Sequence, residues 1–198
     1  MNTIPEAVDA FAKGETIVVV DDKDRENEGD LVCAAEDITP EKVNFMLTFG
    51  RGLICAPLSN KFVQRLMLPQ MVESNTEKLQ TAFTVSLDAK EKTTTGISAS
   101  DRAHTLKMLS EKNAGPEDFV YPGHIFPLRA NEGGVCTRPG HTEAAIDLTK
   151  LANKNEAAAI CEILSVDGSM ARRDALLQLA SDHALKIITI EDLIYYLG

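Results

Sequence analysis

Short apolar runs alternate with helix-patterned segments along the chain, which predicts an α/β domain of roughly seven strands, several of them central and parallel or mixed. Two further observations support this. Ile17-Val18-Val19-Val20 and Leu31-Val32-Cys33-Ala34-Ala35 have no polar alternation, so both read as strands buried on two faces. No repeat, linker or low-complexity tract divides the chain, and 198 residues suffice for one well-buried core but not for two full domains.

The elements follow in order. Pro5 to Lys13 reads as a short amphipathic helix closed by Gly14, before the strand at 17–20. After the second strand, Thr39-Pro40 marks a helix start, with Thr as N-cap and Pro at the first helical position. Val43, Met46 and Leu47 form its apolar face, and Gly50 is expected to end it. Leu53-Ile54-Cys55-Ala56 is a strand stopped by Pro57, and Ser59 caps a helix with Phe62, Val63, Leu66 and Met67 on one side. Residues 69–80 are polar and irregular, and Ala82 to Leu87 is a strand. Beyond the hydroxyl-rich Thr93-Thr94-Thr95-Gly96, a helix runs from Ser98 or Ser100 to Lys112, with Ala103, Leu106 and Leu109 facing the core. Asn113-Ala114-Gly115-Pro116 breaks it, and His124 to Leu128 is a short strand. Arg129 to Gly140 is too rich in Gly and Pro to be regular, and Thr142 N-caps a helix through Leu151. Ala158 to Val166 is a strand, Asp167-Gly168 a turn, and Asp174 to Ala184 an amphipathic helix. Leu185 to Ile190 is the last strand, and the final helix begins at Thr189-Ile190-Glu191-Asp192.

Composition narrows the function. The 44% apolar and 25% charged residues are those of an ordinary globular protein, and no run is long enough to span a bilayer. A net charge of −10 argues against a nucleic-acid partner, since neutralising phosphates needs surplus Lys and Arg. Anionic small molecules remain compatible with it through a local Arg or a metal ion. Cys33, Cys55, Cys136 and Cys161 are widely spaced, form no CxxC pair and speak against a zinc site. With no export signal, reduced thiols in a cytoplasmic protein are the expectation.

The chemistry-bearing stretch is Asp21-Asp22-Lys23-Asp24-Arg25-Glu26-Asn27-Glu28-Gly29-Asp30, a loop longer than a hairpin needs. Six carboxylates crowd against two cations, and they repel unless solvated or neutralised by a metal. A calcium register starting at Asp24 fails, because its twelfth position is Ala35 rather than a bidentate acid. A magnesium ion keeping several waters suits the loop, and a merely solvated loop suits it equally. In Arg138-Pro139-Gly140-His141-Thr142-Glu143, the helix start and Arg138 make an anion site, and His141 is a candidate metal ligand. The plainer alternative is that Thr142 only caps and His141 faces solvent. His124 could move a proton near neutral pH. Glu162, inside an apolar strand, is costly unless paired, protonated or serving a site, and harmless on an edge. Together these groups suit metal-assisted proton transfer on a small phosphorylated hydroxyketone.

At these residues the chain resembles 3,4-dihydroxy-2-butanone 4-phosphate synthases of riboflavin biosynthesis. The resemblance rests on Asp21 to Asp30, Thr94-Thr95-Gly96-Ile97-Ser98-Ala99 with Asp101-Arg102, and Pro122-Gly123-His124-Ile125-Phe126-Pro127-Leu128-Arg129. It continues through Gly140-His141-Thr142-Glu143-Ala144-Ala145, Cys161-Glu162 and Thr189-Ile190-Glu191-Asp192-Leu193, in family order over nearly the whole chain. Tyr121, Pro139, Glu156 and Ala158 depart from the family pattern, and none of them removes a candidate catalytic group.

The resemblance implies a three-layer sandwich around a mixed sheet, residues 1–198 forming a single such domain without a fused GTP cyclohydrolase II unit. It implies Glu26 and His141 as ligands of magnesium or manganese, with one or two ions per site. Arg25, Glu26, Asp30, Glu162 and the segment Arg138, Pro139, Gly140, His141 and Thr142 would bind ribulose 5-phosphate, Arg138 and Thr142 taking the phosphate. His124 and Glu162 would be the catalytic acid/base groups, in a homodimer with sites at the subunit interface. The implied reaction forms an enediol, loses water, rearranges the carbon skeleton and expels formate. Two readings compete with it: a non-catalytic metal- or phosphate-binding module, and a related-fold, nucleotide-dependent RNA-modifying enzyme, which the acidic charge disfavours.

Overall fold

Helix α1 (Ile4–Ala12) is closed at its start by a capping box between Thr3 and Glu6 and leads into strand β1 (Ile17–Val20) in the computed structural model of residues 1–198. β1 pairs antiparallel with β2 (Gly29–Ala34), Val20 opposite Gly29, so the acidic stretch is the loop at the end of this hairpin. Thr39 caps α2 (Pro40–Phe45) through its hydroxyl. Then follow β3 (Cys55–Leu58), α3 (Asn60–Arg65), β4 (Leu87–Ala89), α4 (Ala99–Ser110) capped by Ser98, and β5 (Phe119–Arg129). The chain finishes with α5 (His141–Leu151), β6 (Ala158–Glu162), α6 (Arg173–Asp182), β7 (Ile187–Thr189) and α7 (Ile190–Leu197).

The strands form one mixed sheet in the order β4-β5-β3-β6-β2-β1-β7. Its central strands are apolar on both faces because each face carries a core. Val18, Val20, Leu31, Cys33, Ala159 and Cys161 pack beneath α2, α3, α4 and α6. Their neighbours Ile17, Val19, Val32, Ala34, Ala158 and Ile160 pack beneath α1, α5 and α7. The result is the expected three-layer arrangement, produced by the period-two alternation of strand side chains.

Several elements differ from the sequence expectation. Helix α2 runs on as a π-turn over Met46–Gly50, and the left-handed residue that ends it is Arg51 at φ 70, not Gly50. Pro57 lies within β3 rather than stopping it. β3 meets β6 only at Cys55 and Leu58, so the missing N–H at Pro57 falls in a gap of that ladder. Met67 is 76% exposed and left-handed, outside the core face of α3, which ends at Arg65. The strand expected at Ala82 to Leu87 is reduced to isolated bridges at Phe83 and Thr84, and β4 begins only at Leu87. β5 is much longer than His124 to Leu128, and β6 is shorter than Ala158 to Val166. The cap of helix α5 lies two residues early, with Gly140 as N-cap and Thr142 inside the first turn. His141 therefore sits at the helix start and is buried, not solvent-facing.

Candidate active site

The β2–β6 register sets Asp30 opposite Glu162. Asp30 shares strand parity with Val32, and Glu162 with Ile160, so both carboxylates point to the α5 side of the sheet. The first turn of α5 lies over them and brings His141 Nδ1 to 3.9 Å from Asp30 Oδ1 and 3.7 Å from Glu26 Oε2. Glu162 occupies a central strand and is only partly buried. Its Oε2 accepts the Leu53 N–H at 2.8 Å, and Gly52 leaves the room, since a Cβ there would lie 2.5 Å from that oxygen.

The acidic loop is organised by Asp21, which the sequence did not distinguish from its neighbours. Its Oδ1 accepts the Glu28 N–H at 2.9 Å, and its Oδ2 accepts the Glu26 N–H at 3.1 Å and Arg25 Nη1 at 2.8 Å. Arg25 Nη1 also donates to Glu26. At the other end of the cavity, Arg138 Nη1 donates to Glu143 Oε2 at 2.6 Å and Nη2 to Thr81 Oγ1 at 3.0 Å. Glu143 is fully buried and takes the Asn131 N–H on its second oxygen, so the guanidinium is held in one orientation. Gly140 is required beneath both cations, because a Cβ there would lie 2.4 Å from Arg138 Nη1 and 3.2 Å from Arg25 Nη2.

One cavity of about 180 Å³ is lined by Arg25, Glu26, Glu28, Asp30, Arg138, His141, Thr142 and Glu162, so seven of the sequence-selected residues meet there with Glu28. Glu77, Leu79, Thr81, Phe83, Cys55, Leu128 and Ile160 complete the wall. The segment 77–83 carried no sequence signal, because an irregular polar stretch has no periodicity that marks a wall. Glu143, in the first turn of α5, lies in the Arg138 to Glu143 stretch without a pattern that marks it as a brace. Cys55 is buried on β3, and its thiol is pushed well above the usual range by that burial and stays protonated. Pro139 is exposed and Gly140 supports the cavity without lining it.

His124 is not in this cavity. It stands on β5 four residues before Leu128, roughly 13 Å along the strand. Its Nδ1 lies 2.7 Å from Asp88 Oδ2, and its backbone N–H donates to Asp88 Oδ1 at 2.9 Å. A carboxylate can only accept, so Nδ1 carries the proton and Nε2 is left free to accept one. Gly96, at φ 90, fits over this pair, since a Cβ would lie 2.0 Å from Asp88 Oδ2. The Thr94–Gly96 turn is tied down by Asp101, which accepts from Thr94 Oγ1 at 2.7 Å and from the Gly96 N–H at 3.0 Å.

The electrostatics of the Glu26–His141–Asp30 group are those of a site with unbalanced charge. Asp30 is raised to about 7, first by burial and then by Glu162, Glu26 and Glu28 against the opposing pull of His141. Burial works to lower His141, and Asp30, Glu26 and Asp21 override it, raising it to about 9. Glu26 is held down to about 2 by the facing His141 first, and by Arg25. Asp30 Oδ1 and His141 Nε2 are buried without any hydrogen-bond partner. Asp21, Glu26 and His141 offer ligand atoms within 4.8 Å of one another, and the oxygens of Asp21 are already occupied by the loop. Carboxylate oxygens, one imidazole and orphaned buried polar atoms fit a hard divalent cation.

Comparison with known proteins identifies the family. The family model for 3,4-dihydroxy-2-butanone 4-phosphate synthase matches residues 5–196. The protein of that name from Agrobacterium fabrum is 51% identical over 194 residues, which cover 98% of this chain and 91% of the relative. Riboflavin biosynthesis protein RibBA of Bacillus subtilis is 56% identical over 193 residues, and the chain spans 48% of its length. A crystal structure of 3,4-dihydroxy-2-butanone 4-phosphate synthase in complex with two magnesium ions superposes with a TM-score of 0.96 at 46% identity, over 100% of this chain and 97% of that one. The chain belongs to the 3,4-dihydroxy-2-butanone 4-phosphate synthase family.

Proposed function

We propose that this chain, as a single domain, is a lyase converting D-ribulose 5-phosphate to L-3,4-dihydroxy-2-butanone 4-phosphate and formate in riboflavin biosynthesis. The observation that carries the reading is the Asp30–Glu162 pair facing His141 and Glu26, with two braced guanidiniums on the same cavity. Family membership supports the choice of substrate.

Arg138, Thr142 and the unpaired N–H groups at the start of α5 hold the phosphate, and Arg25 binds the sugar end beside Glu26. The segment Pro139 to His141 carries these groups into place. Glu26 and His141 would hold magnesium or manganese, one or two ions, with the neighbouring carboxylates beside them. When bound there, the divalent charge polarises the substrate carbonyl. Glu162 and Asp30 take and return protons as the enediol forms, water leaves and the skeleton rearranges. A water molecule adds back as formate is expelled, so one five-carbon phosphate yields a four-carbon phosphate and formate with no net change in atoms. Glu77, Leu79, Thr81 and Phe83 form one wall of the cavity in which these steps take place.

His124 does not line this cavity, and a homodimer with sites between subunits would bring it to the cavity of a second copy. The reaction is expected in the cytoplasm, without nucleic acid or membrane as partner; no helix is long and apolar enough to cross a membrane. Incubation of pure protein with ribulose 5-phosphate and magnesium should release formate, and EDTA should stop it. Absence of formate with magnesium or manganese present overturns the reading.

A further inference from the structure

Asp21 holds the acidic loop from within, and a different residue holds it from outside. Arg172, the residue before α6, donates through Nη1 to the main-chain carbonyls of Glu26, at 2.9 Å, and Asn27. Asn27 is left-handed at φ 56, so the chain reverses direction where the guanidinium grips it. One turn further along α6, Leu176 fills the space over Gly29, where a Cβ would lie 2.7 Å from Leu176 Cδ1. Arg172 is itself exposed, pairs with no carboxylate and does not line the cavity. Its charge nevertheless acts on Glu28, drawing that carboxyl down against the upward push of burial and of Glu26.

We propose that Arg172 is a latch: a positioning residue that orders the Asp22–Glu28 loop and thereby aims Arg25 and Glu26 into the cavity. The inference rests on reading that loop as the metal- and substrate-binding half of the site. The loop bears four carboxylates between Asp22 and Glu28 against two cations, Lys23 and Arg25, so it favours an open, solvated form. Asp21 ties together residues that would move as one body; Glu26 faces His141 on the α5 side, and Arg172 and Leu176 anchor the body to α6. Two charge-assisted bonds to carbonyls suffice to bias an exposed loop and are weak enough to release, which suits a segment that must admit substrate.

The test uses the full chain, with Arg172→Ala and the conservative Arg172→Lys. In ligand-free protein, R172A should speed exchange of the amides of residues 24–28 about tenfold, with R172K between it and wild type. Titration with manganese alone, followed by electron paramagnetic resonance, should give a Kd about tenfold weaker in R172A, and the KM for ribulose 5-phosphate should rise while kcat falls less than about threefold. Unchanged exchange together with unchanged manganese affinity would overturn the latch. So would tighter manganese binding, the outcome if Arg172 merely repelled the cation. Wild-type protein that neither binds manganese nor releases formate would instead overturn the functional reading, and the ligand-free exchange data would still judge the latch.

Discussion

Asp30 and Glu162 face each other across the β2–β6 ladder, two carboxylates on one side of the sheet under the start of α5. Neighbouring strands lie under about 6 Å apart, so the Glu162 charge adds to burial in raising Asp30 to about 7. Glu162→Gln keeps an acceptor for the Leu53 N–H and removes the ionisable group. Formate release should fall about 100-fold or more, with manganese affinity changed by only a few-fold. Normal turnover in the variant would show that Glu162 is not an acid/base group.

Cation binding should be proton-linked. His141 at about 9 and Asp30 at about 7 must both lose a proton to present lone pairs, so the metal affinity should rise with pH. Calorimetry between about pH 7 and 9 should show magnesium tightening close to tenfold per unit, for roughly one proton released. A pH-independent affinity would contradict the ligand role of His141.

The stability of the metal-free protein should follow the same groups with the opposite sense. His141 is raised from 6.5 to about 9, so its contribution is complete below the unfolded value and is lost as pH rises toward 9. Asp30, raised from 3.8 to about 7, also loses ground as pH rises through that window. Glu26 is depressed from 4.5 to about 2, so its contribution is present above 4.5 and is lost only on acidification. In EDTA the melting temperature should therefore decline between about pH 6.5 and 9, and magnesium should restore progressively more of it.

Asp88 should act through His124. In Asp88→Asn the amide oxygen still accepts the His124 backbone N–H, while its NH₂ faces Nδ1 and forces the other tautomer. Turnover should drop about 100-fold without loss of fold, and nitrogen-15 spectra should show the His124 proton moved from Nδ1 to Nε2. An unaltered tautomer would remove this explanation.

Subunit mixing tests whether His124 serves a partner's cavity. His124→Ala and Glu162→Gln homodimers should each be nearly inactive, whereas refolding an equal mixture should recover about a quarter of wild-type activity, half the dimers being mixed and each holding one intact site. Recovery near zero would place His124 and Glu162 in the same site.

Much of this was legible in the residues. Strands apolar on both faces, such as Ile17 to Val20, must be covered on both sides, so the α/β class with a buried sheet follows from local pattern, and the three-layer arrangement was implied by the family resemblance. The Asp21 to Asp30 loop and the Gly140 to Thr142 helix start were visible because each concentrates unusual chemistry in a few consecutive positions. Helix ends set by backbone geometry were less so: Thr142 looks like a cap, yet Gly140 takes that position.

The sequence by itself determined the layers, the acidic loop and the family, because these depend on side-chain type at short spacing. Tertiary structure alone decided that Asp30 meets Glu162, that Glu143 braces Arg138, that Asp88 orients His124 and that Arg172 grips the loop. Those partners are separated by between five and 146 residues, and the choice among equivalent acids and arginines is made by strand register and helix docking. Register is a property of the assembled sheet, where a one-residue slip would turn Asp30 to the opposite face.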